Sequence, residues 1–402
     1  MTTIERKILA AVDKHLPVLQ MIGCTILGIL IRVALRDIRS GDFEVFLSSW
    51  YDEIAANGLS QQVGDYNFTY QFVIWFLTKI GTPPLYSYKM ISCIFDLVLA
   101  VTAAIIVHRE KNKENNWAAA LAYSAVWLSP IVFLNSSAWA QCDAIYSAFA
   151  LLAILMLDKE KTNWSMCLLG IGFAFKLHTV FVLPLFLFVY FMRRTFSIVR
   201  FALVPVSMLA LSLPLVFWGR NIGEVFTIYA NQTNSYPAMS MNYPSVWLLL
   251  CRAQDPTQYA FLKLPAILMT VFVLALLMIW WIRKSYQPTG MNLYMMAFLV
   301  VYTCVLFLPS MHERYGYLYE ILAVVLAVLI PKTIPLCIGL LCISLSTYGA
   351  FLFWIEVNWP VLVCANLVLY GIYVYCLTKE MQSSIQSGNS PISRKSTCSS
   401  GA

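Results

Sequence analysis

The chain has 402 residues, of which 60% are hydrophobic and 12% charged, with a formal net charge of +7. This excludes a soluble protein of two or three domains, because apolar runs of about 18 residues or more recur along the whole length. It also argues against nucleic-acid binding: the cations sit mostly in short loops between apolar runs, where they set membrane topology.

In chain order, residues 1–15 are polar and mildly amphipathic and run into an apolar stretch, 17–35, without a small-residue cleavage pattern. This reads as a signal-anchor span. In the loop that follows, 36–81, Phe43, Phe46, Leu47, Trp50, Tyr51 and Ile54 recur at helical spacing. Glu44, Ser48, Asp52 and Glu53 lie opposite, and Asn57-Gly58 closes the pattern. The prediction is an amphipathic helix lying on the membrane surface. Phe68–Ile80 is apolar but too short to span.

Further spans are predicted near 86–107, 117–134, 139–157, 197–217, 261–282, 291–309, 317–331, 333–353 and 360–378. Residues 164–192 are too long for one crossing, and Lys176-Leu177-His178 interrupts their middle. That predicts a pair of half-helices that enter and return, a shape tolerated only where it lines a cavity. The expected fold is an all-α polytopic membrane protein of about 10–12 membrane helices. Residues 1–380 form a single membrane domain, and the Ser-rich 381–402 form a disordered tail.

If both termini face the cytoplasm, the basic loops near 108–113, 159–161, 193–200 and 283–284 all fall inside. The loops 36–85, 135–138, 218–260, 309–316 and 354–359 then lie on the other face and hold the unusual residues. The expected location is the cell membrane, or the endoplasmic reticulum membrane in a eukaryotic host. Eleven cysteines occur without a C-x-x-C pair or a metal spacing, so neither a disulfide framework nor a zinc site is indicated.

The most informative stretch is His312-Glu313-Arg314-Tyr315. Acid, base and cation follow one another at a membrane border, where unpaired charge is costly and marks function. Asp42 sits where an N-cap belongs, so capping and general-base roles both fit. Asp143 opens a span just after Trp139 and Gln141. Lys176 and His178 lie in the interrupted segment, where a lysine must snorkel, pair or hold a phosphate. Asp96, inside a span, reads as an interhelical contact. The loop 218–260 mixes amides and hydroxyls with Tyr243 and Trp247, a combination that suits a sugar.

Taken together, Ser40-Gly41-Asp42 with Trp50-Tyr51, Gly58, Tyr66-Asn67 and Tyr70, then Asn135-Ser136-Ser137-x-Trp139-x-Gln141-x-Asp143, Phe175-Lys176-Leu177-His178, Leu183-Pro184 and Leu308-Pro309-Ser310-Met311-His312-Glu313-Arg314-Tyr315, resemble a known family. It is that of bacterial mannosyltransferase-like proteins, relatives of the second mannosyltransferase of GPI-anchor assembly. The resemblance covers about residues 17–330. The chain departs from the family in having Lys176-Leu177-His178 where Lys-x-Gln is frequent.

The resemblance implies a GT-C glycosyltransferase. Such an enzyme moves a hexose, mannose or a relative, from a polyprenyl-phosphate carrier on the outer face to a glycan or lipid-linked acceptor, as in cell-envelope polysaccharide assembly. Its first-loop carboxylate, here Asp42, is the catalytic base. The transfer is expected to be inverting, with Arg314, Lys176 and His178 at the donor phosphate. Asp143, Gln141, Trp139, Tyr243, Trp247, His312 and Glu313 are expected around the substrates. No metal and no other cofactor is expected. The alternative is a transporter or flippase of a lipid-linked saccharide, which predicts two alternating halves, whereas the sequence shows no internal duplication.

Overall fold

A computed structural model describes the backbone of residues 1–111 and 116–388. The described chain is almost wholly helical. A long helix α1 (Thr3–Ala34) starts on a reciprocal cap between Thr2 and Glu5. A π-helical turn, Phe43–Leu47, leads into α2 (Ser48–Asn57), and α3 (Phe68–Ile80) ends at Gly81 with φ 76°. Next come α4 (Pro84–Glu110), α5 (Asn116–Trp127), α6 (Pro130–Phe133), α7 (Asp143–Asp158) and α8 (Thr162–Phe175). Then follow α9 (Leu183–Arg193), α10 (Leu203–Ser212), α11 (Glu224–Ser235), the two-residue strand β1 (Ser240–Met241) and α12 (Trp247–Leu250). The chain ends with α13 (Pro256–Arg283), α14 (Met291–Phe307), strand β2 (Met311–His312), α15 (Tyr317–Leu329), α16 (Ile334–Phe353) and α17 (Trp359–Gly388).

Among the described residues six helices are long and apolar enough to cross a membrane, or seven if one bent pair counts as a single span. Shorter apolar helices, including α8, α14 and α15, complete the bundle. Nearly all of α14 and α15 is buried, so they form the core. By contrast, α13 presents Phe261, Leu264 and Leu268 at 79%, 63% and 58% exposure, and α1 is similarly bare. Apolar surface of that extent requires lipid rather than water. The chain is a multi-pass membrane protein.

Hydrogen bonds gather the basic loops at one pole. Arg109 pairs with Asp158 at 3.1 Å, and Asp158 also accepts from the backbone N–H of Gly290 at 2.8 Å. Arg193 donates to the carbonyls of Leu157 and Pro288. From this pole α7 runs back to Asp143 and α14 runs forward to Phe307, a separation of about 24 Å along α7. The polar cavity described below lies at that far pole.

The interrupted segment behaves as its sequence predicts. Lys176 is extended, with φ −152° and ψ 136°, and ends α8. A 3₁₀ stretch, Leu177–Val182, then feeds α9, which returns to the basic pole at Arg193. Another expectation needs correction. The span predicted at 117–134 is broken: α5 and the stretch 130–138 form a pair bent by 42°. The cause is Ser129-Pro130, because the residue before proline is driven out of the helical region, and Ser129 has ψ 127°. The span predicted at 139–157 begins only at Asp143. Of the predicted tail, 381–388 continue α17, and 389–402 lie outside the described residues.

Candidate active site

Asp42 does not cap its helix. It is already helical, with φ −61° and ψ −36°, and makes no capping bond. Ser40 does that work: its hydroxyl oxygen accepts from the Phe43 N–H at 3.2 Å and donates to the Trp139 carbonyl at 2.7 Å. The Asp42 carboxylate is thereby released to face a cavity. Two donors hold it, Trp139 Nε1 at 2.9 Å and Gln141 Nε2 at 2.6 Å, both on Oδ2. Oδ1 takes part in neither bond.

The segment 139–142 is shaped for this purpose. Ala140 has φ 64°, a costly conformation for a residue with a Cβ, and such strain clusters at functional sites. It lets Trp139 and Gln141, two residues apart, donate to one oxygen. Trp139 is fully buried, stacked on Phe351 at 4.4 Å and edge-on to Tyr348 at 5.0 Å. Gln141 cannot flip freely, since its Oε1 accepts from the Tyr66 hydroxyl at 3.1 Å.

Arg314 reaches the same oxygen from the other side. Its Nη1 is 3.7 Å from Asp42 Oδ2 and 3.3 Å from Glu313 Oε1, and its Nε is 3.5 Å from Asp143 Oδ2. The guanidinium lies 5.4 Å over the Trp139 ring. Yet Nε is buried without a hydrogen-bond partner. The strands β1 and β2 fix it: they pair in parallel, Ser240 with Met311 and Met241 with His312, and the Glu313 N–H donates to the Met241 carbonyl.

Asp143 is fully buried and accepts from Lys176 Nζ at 2.5 Å and Asn135 Nδ2 at 3.0 Å. Lys176 therefore meets one of the three fates its sequence position allows, pairing. His178, two residues on, packs edge-on to Tyr315 with ring centroids 3.8 Å apart, and its Nδ1 is buried without a partner. Burial, reinforced by the cations Arg314 and Lys176, holds His312 well below the usual histidine range. Its 3.9 Å contact with Glu313 is thus not an ion pair near neutral pH. Burial pushes the Glu313 carboxyl up to about 7, against the smaller opposing effect of Arg314.

These groups surround a cavity of about 470 Å³. Its lining includes the apolar Val180, Phe181, Ile267 and Leu308 as well as Asp42, Arg314, Trp50 and Asp65. Among the described residues no cluster of three or more His, Cys, Asp or Glu is arranged to hold a metal ion.

The profile of glycosyltransferase family 87 matches residues 68–309. The chain belongs to glycosyltransferase family 87. No curated protein shows significant similarity to it. This family-87 enzyme is a membrane glycosyltransferase of the GT-C-like polytopic kind, and it acts on a sugar donor and an acceptor within a bilayer. Asp42 and Arg314 both lie outside the matched span, so their roles rest on geometry.

Of the site residues read from the glycosyltransferase's sequence, Asp42, Gln141, Lys176, His178, His312, Glu313 and Arg314 line the one cavity. Trp139 and Asp143 stand directly behind it, each on a lining residue. Tyr243 and Trp247 lie elsewhere. The Tyr243 hydroxyl bonds the Tyr319 hydroxyl at 2.7 Å in the core, and Trp247 Nε1 donates to the Phe307 carbonyl in a separate apolar cluster. Asp96 is an interhelical contact, paired with Arg32 at 2.8 Å and accepting from Ser136 at 2.6 Å. Tyr236, in the loop 218–260 read as suited to a sugar, does line the cavity, whereas sequence reasoning missed Trp50 and Asp65. A signal existed for Trp50 alone, a large aromatic on the amphipathic loop, but it reads equally as a lipid anchor.

Proposed function

We propose that the enzyme transfers a hexose, mannose or a close relative, from a polyprenyl-phosphate carrier to an acceptor hydroxyl by a single inverting displacement. Its membrane face is the one opposite the basic loops, with both termini cytoplasmic, as the Lys/Arg asymmetry favours. The observation that carries this reading is the pairing of Asp42 with Arg314 across 3.7 Å in a cavity lined by both polar and apolar residues. A general base and a phosphate-binding cation stand where an acceptor and a leaving group would meet.

In the proposed reaction the acceptor O–H gives its proton to Asp42, and its oxygen forms a bond to the anomeric carbon. The bond from that carbon to the phosphate oxygen breaks, and polyprenyl phosphate leaves with the electron pair. Arg314 stabilises the charge that develops on the phosphate, with its planar fork matched to two phosphate oxygens. Lys176, paired with Asp143, anchors the break next to His178. The apolar wall of Val180, Phe181 and Ile267 suits the first isoprene units. Asp143 and Asn135 hold the frame.

The test is donor choice. Purified protein in lipid nanodiscs is offered polyprenyl-phosphate hexoses and nucleotide hexoses in separate reactions. Release of polyprenyl phosphate with sugar transfer is the expected result. Use of the nucleotide sugar instead, or transbilayer movement of the lipid-linked sugar without transfer, contradicts the reading.

A further inference from the structure

We propose that Asp96 is a positioning residue for the transfer: from a polar stripe on α4 it fixes the turn whose side chains hold the base Asp42. The proposal rests on the role given to Asp42 above and extends it to a residue that does not line the cavity.

The helix α4 is long and apolar enough to cross the membrane. Polar groups on such a helix are costly unless paired, and paired ones mark function. Lys89, Ser92 and Asp96 are spaced by three and four residues, so they share one face of α4. All three are buried, and each holds a different piece of the surroundings of Asp42. Lys89 Nζ donates to the carbonyls of Leu35, Arg36 and Ile38 at 3.1, 2.9 and 2.6 Å, where α1 gives way to the loop that carries Asp42. The Ser92 hydroxyl donates to the Gln141 carbonyl at 2.6 Å. Asp96 Oδ2 accepts from the Ser136 hydroxyl at 2.6 Å.

Ser136 belongs to a π-helical stretch, Leu134–Ala138. That stretch carries the backbone of the two residues that hold the base. The Trp139 N–H donates to the Leu134 carbonyl at 2.9 Å, and the Gln141 N–H donates to the Asn135 carbonyl at 3.0 Å. The side chains of Trp139 and Gln141 then donate to Asp42 Oδ2. Asp96 also touches the side of the cation. Its Oδ1 accepts from the Tyr317 hydroxyl at 3.4 Å, and the Tyr317 N–H donates to the Arg314 carbonyl at 3.2 Å. One carboxylate thus ties together the segments that present Asp42 and Arg314 to each other.

Arg32 balances the Asp96 charge and closes the frame. Its Nε and Nη2 donate to Asp96 Oδ2 at 3.1 and 2.8 Å. Its Nη2 also reaches the Trp127 carbonyl at 3.2 Å, and its guanidinium lies 3.6 Å over the Trp127 ring. Trp127 ends α5, and the break at Ser129-Pro130 takes away the helical partner of its carbonyl. Irregular backbone inside a membrane needs such a substitute donor. A buried ion pair is weak evidence for stability, since well-packed apolar residues often serve as well. What this pair supplies is one fixed placement of the break, of the π-helical stretch after it and so of the donors on Asp42.

The test reads the bond between Trp139 and Asp42 directly. Full-length protein with ¹⁵N-labelled indoles is observed by NMR in detergent, and the Trp139 Nε1–H resonance is assigned by its loss in Trp139→Phe. Asp42→Asn marks the direction in which that resonance moves when the carboxylate charge is lost. Asp96→Asn and Ser136→Ala should each move it the same way. Each should also lower kcat by about tenfold or more while KM for polyprenyl-phosphate mannose stays the same. Ser136→Ala leaves the Arg32–Asp96 pair intact and serves if Asp96→Asn does not melt cooperatively. A Trp139 resonance at its wild-type position in folded Ser136→Ala overturns the proposal. So does a kcat that falls only in step with the folded fraction. The two readings fail separately. A shifted resonance in protein inert toward the lipid-linked sugar sinks the lipid-phosphate donor alone, and an unmoved resonance in active variants sinks the positioning role alone.

Discussion

Asp42→Asn should leave a folded protein whose turnover is lower by roughly 10²- to 10⁴-fold. The substitution is nearly isosteric, and the structure gives it little to break. Ser40, not Asp42, caps the helix. The amide oxygen of asparagine accepts from Trp139 and Gln141 as the carboxylate does. What disappears is the capacity to take a proton. Turnover measured beside the melting temperature of the same preparation separates the two effects. Retained turnover would move the base to Glu313, because Asp143 is fully buried and already engaged by Lys176 and Asn135.

Arg314→Lys should reduce kcat/KM by about 10²- to 10³-fold although the charge survives. A lysine is a point charge on a flexible stem and cannot offer the two parallel donors that match a phosphate. Arg314→Ala should do more. It strands Asp42, Asp143 and Glu313 without the cation they share, and leaving a buried charge unpaired costs about 3–5 kcal/mol. Donor titration with a melting curve on both variants checks this. Equal donor affinity in wild type, Arg314→Lys and Arg314→Ala would remove Arg314 from the phosphate site.

How legible this site was depended on the kind of signal. Charges stood out because lipid makes them expensive: Arg314, Lys176, Asp143 and Asp42 were visible in apolar surroundings, and all are in or against the cavity. The break at Lys176 was visible for the same reason. The break at Ser129 was written in Pro130, but an unbroken apolar run concealed it. Aromatic residues carried no comparable sign. Tyr243 went to the core, Trp247 to a separate apolar cluster and Trp50 to the cavity, since burial of an aromatic is decided by tertiary packing rather than by local pattern. The role of Asp42 was undecidable from spacing. Only the hydrogen bond that Ser40 accepts from the Phe43 N–H shows that the carboxylate is not the cap.

The central claim is a single displacement at the anomeric carbon by an acceptor hydroxyl that Asp42 deprotonates. The most direct measurement is the configuration at that carbon. A polyprenyl-phosphate hexose of known anomeric form, ¹³C-labelled at C1, is turned over by the purified enzyme, and the one-bond C–H coupling of the product is read by NMR. Inversion in every product molecule is the predicted result. Retention would require a covalent or double-displacement route and would contradict the account.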